Sequence, residues 1–147
     1  MKIKSAATRV GALVLFCVIS FFTACQHETP APTQPPQGIQ PTLSSIQANI
    51  FTPKCVNAGC HPGGGAPMSL ASGQSYNTLV GAGGTGVTSS GYAPLLRVSP
   101  GNAANSVLYL KVAGNTLGNI MPLGRPPLSA AEVTAIQTWI NNGAQNN

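Results

Sequence analysis

The sequence predicts a small, mostly α-helical domain in which long glycine- and proline-rich loops connect short helices. Apolar residues recur at helical spacing in two stretches, around residues 46–51 and 133–140. The 147-residue chain also contains 17 Gly and 13 Pro, and only 6% of its residues are charged. Little regular surface helix can be built from that composition. A small, loop-rich domain buries limited apolar area, so it usually needs an additional cross-link or bound group to stabilise it.

The first 24 residues have the pattern of a lipoprotein signal peptide. A basic start is followed by residues 10–22, which are apolar and uncharged. That stretch is shorter than the roughly 20 apolar residues that a membrane-spanning helix needs. Phe22-Thr23-Ala24-Cys25 follows and resembles a bacterial lipobox, with Phe22 where Leu is commoner. The resemblance implies that Cys25 is lipidated and becomes the mature N-terminus. An uncleaved helix that anchors the protein in the inner membrane is the alternative.

Either anchor places the remaining chain outside the cytoplasm. Gln26, rather than Asp, follows the cysteine, and by resemblance to Gram-negative lipoproteins this favours the outer membrane, facing the periplasm or the cell surface. Residues 25–41 comprise the lipidated Cys25 and a Pro-rich tether whose composition cannot bury a core. His27 lies in this tether and is expected to be solvated. The folded domain is therefore expected at residues 42–147.

The charge balance argues against a nucleic-acid partner. The formal charge is +5, but three of the basic residues belong to the signal segment. From Cys25 onward, four basic residues stand against two acidic ones, which leaves a net charge of +2. The sequence has neither a basic cluster nor an interleaved aromatic pattern, so no nucleic-acid binding is expected.

Four helices are predicted in the domain. Thr42 or Ser44 caps the first, which buries Ile46, Ile50 and Phe51 and runs into Pro53. The second spans residues 72–80, with its inner face formed by Tyr76 and Leu79. Residues 81–91 form a loop, residues 92–100 a short extended piece, and Asn105 or Ser106 caps a third helix that ends at Val112.

The last helix carries the clearest signals. Ser129 and Glu132 have the spacing of a capping box. An apolar stripe follows, which consists of Val133, Ile136, Trp139 and Ile140. Gly143 ends the helix, and the polar tail beyond it is expected to fray. Trp139 is expected to pack where the first and last helices cross.

The chemistry-bearing motif is Cys55-Val56-Asn57-Ala58-Gly59-Cys60-His61. Two neighbouring thiols with an imidazole directly after the second are the parts needed to attach a haem covalently. Each thiol can add to a haem vinyl group, and His61 then serves as the proximal iron ligand. The usual motif is C-x-x-C-H; here four residues separate the cysteines, and Gly59 permits a tight turn before the Cys60–His61 junction.

Two other interpretations of this motif stay open. In an exported chain, Cys55 and Cys60 could form a local disulfide with His61 as an exposed neighbour. They could also be half of a zinc site, which needs about four ligands. The chain is short of such ligands, because His27 is the only other histidine and Cys25 is taken by the predicted lipidation.

A distal iron ligand is predicted at Met121, which lies in a proline-stiffened loop before Pro122. A neutral thioether suits haem iron, and His/Met ligation raises the reduction potential. Met68 is the competing candidate, but it follows His61 too closely to reach the opposite haem face. Either methionine could instead fill the core. Arg97 and Tyr109 are candidate propionate contacts, with a solvated arginine and a core tyrosine as the alternatives.

The stretch from about residue 46 to residue 144 resembles a monohaem c-type cytochrome domain. The resemblance is to a class I-like, C-x4-C-H variant found in many bacterial, planctomycete-type proteins. The matching pieces, in order, are Ile46-x-x-x-Ile50-Phe51, Cys55…Cys60-His61, Leu79-Val80-Gly81, Val98-x-Pro100-Gly101-Asn102, Ser106-x-Leu108-Tyr109, Met121-Pro122, Leu128-Ser129-x-x-Glu132 and Ile136-x-x-Trp139-Ile140-x-x-Gly143-Ala144.

The resemblance implies a helical, cytochrome c-like fold around one covalent haem c, with His61 proximal and Met121 distal. It also implies one-electron exchange with redox partner proteins, which the sequence does not name. No acid/base pair or activated nucleophile is visible, so an enzyme is not expected. The alternatives are a haem-based sensor or enzyme with a displaceable sixth ligand, and a non-haem exported lipoprotein with a Cys55–Cys60 disulfide.

Overall fold

The computed structural model describes residues 38–57, 59–63 and 67–147. Within these ranges the regular structure is helical, and β-structure is confined to two isolated bridges that join Leu96 to Thr88 and to Ser106. This confirms the prediction of a small, mostly helical domain. The elements are α1 (Leu43–Ile46), a π-helical segment (Gln47–Val56), α2 (Ser75–Leu79), a 3₁₀ turn (Ala103–Asn105), α3 (Val107–Ala113) and α4 (Ala130–Asn141).

The predicted signal segment, the lipidation site Cys25 and the tether up to residue 37 lie outside the described residues. In the part of the chain that the structure covers, no helix has the length and apolar character needed to cross a bilayer.

The first helix starts as predicted but continues further. Thr42 caps it, because its hydroxyl oxygen accepts the Ser45 backbone N–H at 3.3 Å. Ile46, Ile50 and Phe51 are all buried. The helix does not end before Pro53 but passes through it in π-helical form to Val56. In an α-helix the proline ring clashes with the carbonyl four residues earlier, whereas the π-helix shifts the bonding pattern by one residue.

The second and third helices are shorter or capped differently than predicted. Helix α2 begins at Ser75, not residue 72, because Gly73 has a φ of 77°, which lies outside the right-handed helical region. Ser106 does precede α3, but its hydroxyl makes no capping bond. Instead the fully buried Ser106 hydroxyl donates to the Asn102 carbonyl at 2.8 Å and accepts the Ser99 N–H at 2.8 Å.

The last helix confirms the sequence signals at both ends. Ser129 and Glu132 form the complete capping box, in which each side chain accepts the other's backbone N–H. Ile136, Trp139 and Ile140 are buried in the core. Gly143 adopts a φ of 93°, and its N–H donates to the Ile140 carbonyl as the helix ends.

The polar tail after α4 does not fray, so that expectation was wrong. Ala144 is fully buried, and the Trp139 indole N–H donates to the Gln145 carbonyl at 2.9 Å. Asn147 accepts the N–H groups of Leu43 and Ser44 through its side-chain and backbone oxygens, at 3.0 and 2.8 Å. These N–H groups open α1 and have no partner within the helix. The tail therefore caps the first helix.

One hydrophobic core joins the elements. α4 packs against both α1 and α3, and Trp139 is 1% exposed within the same core as Ile46 and Ile50. The loop through Gly86 also closes onto this core. Gly86 has a φ of 96°, and a Cβ there would lie 2.5 Å from the Val98 carbonyl oxygen, so a side chain cannot be accommodated without a shift.

Candidate functional site

The Cys55–His61 segment forms a closed loop. Cys55 lies in the last turn of the π-helical segment, and its carbonyl accepts the His61 backbone N–H at 2.9 Å. Gly59 adopts a φ of 77°, and its N–H donates to the Val56 carbonyl at 2.8 Å. Gly59 thus makes the turn that the sequence predicted for it, and the turn returns the Cys60–His61 junction to Cys55.

The imidazole of His61 is oriented by a backbone carbonyl. Its Nδ1 atom lies 3.3 Å from the Met68 carbonyl oxygen. A carbonyl only accepts hydrogen bonds, so Nδ1 is the donor in this contact, and Nε2 is left as the ring nitrogen that could bind a metal. The His61 carbonyl accepts the Leu70 N–H at 2.8 Å, which fixes the backbone at the same place. Histidines that bind metals are commonly oriented in this way.

The two candidate methionines occupy different positions relative to this ring. The Met68 backbone is bonded at the Nδ1 edge of His61, away from Nε2. Met121 lies in the loop that follows α3, where its N–H donates to the Lys111 carbonyl at 2.7 Å. Both methionines are half-buried and pack against the core. The contact at Nδ1 makes Met68 the poorer candidate for a ligand opposite Nε2, and the assignment of Met121 as that ligand stays a prediction.

The two motif cysteines differ in environment. Cys55 is half-buried, whereas Cys60 is exposed. Burial, reinforced by the nearby Cys60 thiol and Glu132 and opposed by Lys54, raises the pKa of Cys55 to about 11. The Cys55 sulfur therefore keeps its proton at neutral pH.

An ion pair connects the motif to the last helix. The Lys54 ammonium lies 2.5 Å from Glu132 Oε1, while Glu132 Oε2 accepts hydrogen bonds from the Ser129 N–H and hydroxyl. Burial alone would raise the pKa of Glu132, but the hydrogen bonds from Lys54 and Ser129 outweigh it and lower that pKa. The sequence explained Glu132 by capping alone. The pairing could have been found, since Glu132 is the only acidic residue of the predicted domain.

Arg97 and Tyr109, the predicted propionate contacts, have different surroundings. The Arg97 guanidinium donates to the carbonyl of Thr78 at 2.8 Å and to that of Pro67 at 2.9 Å. Arg97 thus joins the end of α2 to the residue directly before Met68. Tyr109 is half-buried against the core. A propionate contact stays a prediction for both residues.

Gln47 was missed by the sequence reasoning. Its side-chain amide donates to the Leu70 carbonyl at 2.9 Å and to the Thr52 hydroxyl at 3.0 Å, and it accepts the Ser75 hydroxyl at 2.7 Å. Gln47 thereby fixes the loop after His61 to both the first helix and α2. A glutamine on a short helix carries no signal of such a role, because the partners are distant backbone and hydroxyl groups.

Several apolar side chains lie against the core without being fully covered by it. Each is half-buried, and they include Cys55, Val56, Met68, Tyr76, Tyr109, Met121 and Val133. Covering such surface is favourable by about 25 cal/mol per Å². These side chains therefore leave apolar surface uncovered at the edge of the core.

Two surface depressions lie away from the cysteine motif. An open one of about 600 Å³ lies beside the Met121 loop and is lined by Asn115, Gly118, Asn119, Ile120, Pro122, Leu123, Gly124 and Arg125. A second, of about 240 Å³, lies between the first helix, α2 and the tail. Neither is lined by Cys55, Cys60 or His61. Across the described ranges, no three His, Cys, Asp or Glu side chains cluster as a metal site.

The fold and the site together define a class of protein: a small helical domain in which two cysteines and a histidine lie in one closed loop. No protein-family model, curated protein or solved structure matched the chain.

Proposed function

We propose that the protein is a membrane-anchored, one-electron transfer protein that carries one covalently bound haem c. The His61 ring carries the proposal. It follows two thiols in one closed loop, and its Nδ1 donates to the Met68 carbonyl, which leaves Nε2 as a metal-binding lone pair. The donor set of two thiols, an imidazole and a thioether fits haem chemistry.

In this proposal each residue has a separate task. Cys55 and Cys60 hold the group through thioether bonds, His61 binds iron through Nε2, and Met121 binds it through sulfur. In each thiol addition, sulfur bonds to one vinyl carbon and the thiol hydrogen goes to the other, so no oxidant or reductant is consumed. When bound, the haem supplies an Fe(III)/Fe(II) couple. The Met121 thioether is a neutral donor, which raises the reduction potential.

The proposal includes the predicted location and partners. Cys25 anchors the chain to a bacterial membrane, preferably the outer one, through its lipid, and the tether holds the domain away from the surface. The partners are proteins that give or take one electron at a time.

The first test is covalent haem attachment. The exported protein is separated by denaturing electrophoresis, stained for haem and weighed intact, beside a Cys55→Ala/Cys60→Ala variant. A stained wild-type band with a mass increased by one haem, and a colourless variant, support the proposal. A colourless wild-type band contradicts it. Loss of two hydrogens would then indicate a Cys55–Cys60 disulfide and a non-haem lipoprotein.

The second test separates the two methionines. Met121→Leu and Met68→Leu each replace a half-buried thioether with an apolar side chain, and Met68→Leu keeps the backbone carbonyl that orients His61. We expect Met121→Leu to change the ferric absorption spectrum and lower the midpoint potential, whereas Met68→Leu retains the wild-type spectrum. The reverse result assigns the distal position to Met68. An unchanged spectrum in Met121→Leu supports a sensor or enzyme with a different sixth ligand.

A further inference from the structure

Lys111 is in the last turn of α3, and its side chain crosses the loop that leads to Met121. Its ammonium donates to the carbonyls of Asn119 at 2.7 Å and Leu117 at 3.2 Å, and to the Tyr92 hydroxyl at 3.4 Å. An ammonium has three N–H donors, so these three oxygens match its capacity. The same ammonium lies 5.6 Å from the centre of the Tyr92 ring, within the range of a cation–π contact.

The backbone of Lys111 holds the other end of the same loop. Its carbonyl accepts the Met121 N–H at 2.7 Å, and the Tyr92 hydroxyl donates to the Leu117 carbonyl at 2.8 Å. One residue therefore fixes both the middle of the loop, at Leu117 and Asn119, and its end at Met121.

This use of a lysine is not explained by an ion pair. Glu132 is the only carboxylate among the described residues, and it is engaged by Lys54 at 2.5 Å. The positive charge of Lys111 is instead directed at backbone carbonyls of a loop that has no regular structure of its own. Charge-assisted hydrogen bonds are stronger than neutral ones, so this contact restricts the loop more than a neutral side chain could.

We propose that Lys111 is a positioning residue that holds the Met121 loop and thereby keeps the Met121 sulfur in place as a ligand. The inference rests on the proposed function, in which Met121 binds the haem iron. When the ammonium is absent, the Leu117 and Asn119 carbonyls lose their charged donor and the loop opens more often. Met121 then competes less well with a ligand from solution.

The experiment compares Lys111→Met with Arg125→Met in the folded, full-length protein, after haem staining of a separate sample has shown that haem is attached. Each substitution removes one positive charge and supplies a flexible apolar chain, but the exposed Arg125 makes none of the hydrogen bonds to Leu117, Asn119 and Tyr92 that Lys111 makes. Imidazole is titrated into the ferric protein to displace the Met121 sulfur, and the midpoint potential is measured in parallel. We expect Lys111→Met to bind imidazole at a concentration lower by about tenfold or more, and Arg125→Met to behave like wild type.

A third variant separates positioning from a general loss of stability. Thr42→Ala removes the cap of α1 and destabilises the domain without touching the Met121 loop. Amide hydrogen exchange at residues 115–121 should accelerate in Lys111→Met but not in Thr42→Ala. The inference is overturned if Lys111→Met matches Arg125→Met, or if Thr42→Ala facilitates imidazole binding equally. A colourless wild-type protein overturns the proposed function itself, which is a distinct result.

Discussion

The Cys55 thiol has a pKa raised to about 11, mainly because the half-buried sulfur is poorly solvated. In the unfolded chain the same thiol titrates near 9.0. A neutral thiol is therefore preferred by the folded state. Its contribution to stability is fully present below pH 9 and is lost as the pH rises through the folded-state pKa.

This difference gives an alkaline test of what the sulfur is bonded to. For protein prepared without haem attachment, urea unfolding at pH 8 and pH 10.5 should show a larger loss of stability in wild type than in Cys55→Ala. Equal losses in the two proteins contradict the assigned burial of the thiol. A thioether has no proton to lose, so the haem-attached protein should show no alkaline loss from Cys55.

The residues of the site were predictable where the side chain itself provides the chemistry, and unpredictable where the contact is made by backbone atoms. The spacing of Cys55, Cys60 and His61 is visible in the sequence, as is the glycine that turns between them. The predictions for Met68 concerned its side chain, as an iron ligand or as a core filler, whereas the structure uses its carbonyl to orient His61. Every residue has a carbonyl, so no sequence pattern marks the one that a distant ring selects.

At the scale of an element, the N-terminus of α4 combines a cap with the ion pair that joins it to Lys54, directly before the cysteine motif. Ser129→Ala removes the hydroxyl that accepts the Glu132 N–H, and we expect the free energy of unfolding to fall by about 1 kcal/mol.

Glu132→Gln keeps an acceptor for the Ser129 N–H but loses the ion pair with Lys54. A smaller loss, of about 1 kcal/mol or less, is expected because Lys54 is 42% exposed. Chemical denaturation at pH 7 measures both losses.

The same carboxylate predicts how stability depends on acid. The pKa of Glu132 is lowered in the folded state, since Lys54 and Ser129 outweigh its burial. Its contribution is therefore present above the ordinary glutamate pKa of about 4.3 and is lost as the pH falls through the lower folded value. Below pH 4.3, wild type should lose stability more steeply than Glu132→Gln. Parallel acid curves for the two proteins would contradict this role.

The elements were predicted well where local signals agree with the packing. The capping box of Ser129 and Glu132 and the buried Ile136–Trp139–Ile140 stripe specify α4 almost alone. The limits of the first helix were not predictable, because a proline usually ends a helix and the sequence does not indicate a π-helical register. The ordered tail was missed for a different reason. Its amides look like a solvated end, but their partners are N–H groups about a hundred residues away.

At the scale of the whole molecule, the predicted attachment to the membrane depends on a single cysteine. If the lipid on Cys25 is the anchor, Cys25→Ala should lower the share of the protein that is recovered in the membrane fraction, because the substitution removes the sulfur that carries the lipid. Fractionation followed by immunoblotting measures the change. Cys17→Ala, within the apolar signal stretch, is the matched control and should leave the protein in the membrane fraction. Retention of Cys25→Ala would favour an uncleaved signal helix.

The contact of Asn147 with the start of α1 places residue 147 directly beside residues 43 and 44. A short linker from residue 147 to residue 42 would therefore span a small gap and make the backbone circular. New termini could then be opened in the glycine-rich residues 81–84, whose exposed turn tolerates a break better than a packed helix does. Such a permuted protein would leave the cysteine motif uninterrupted.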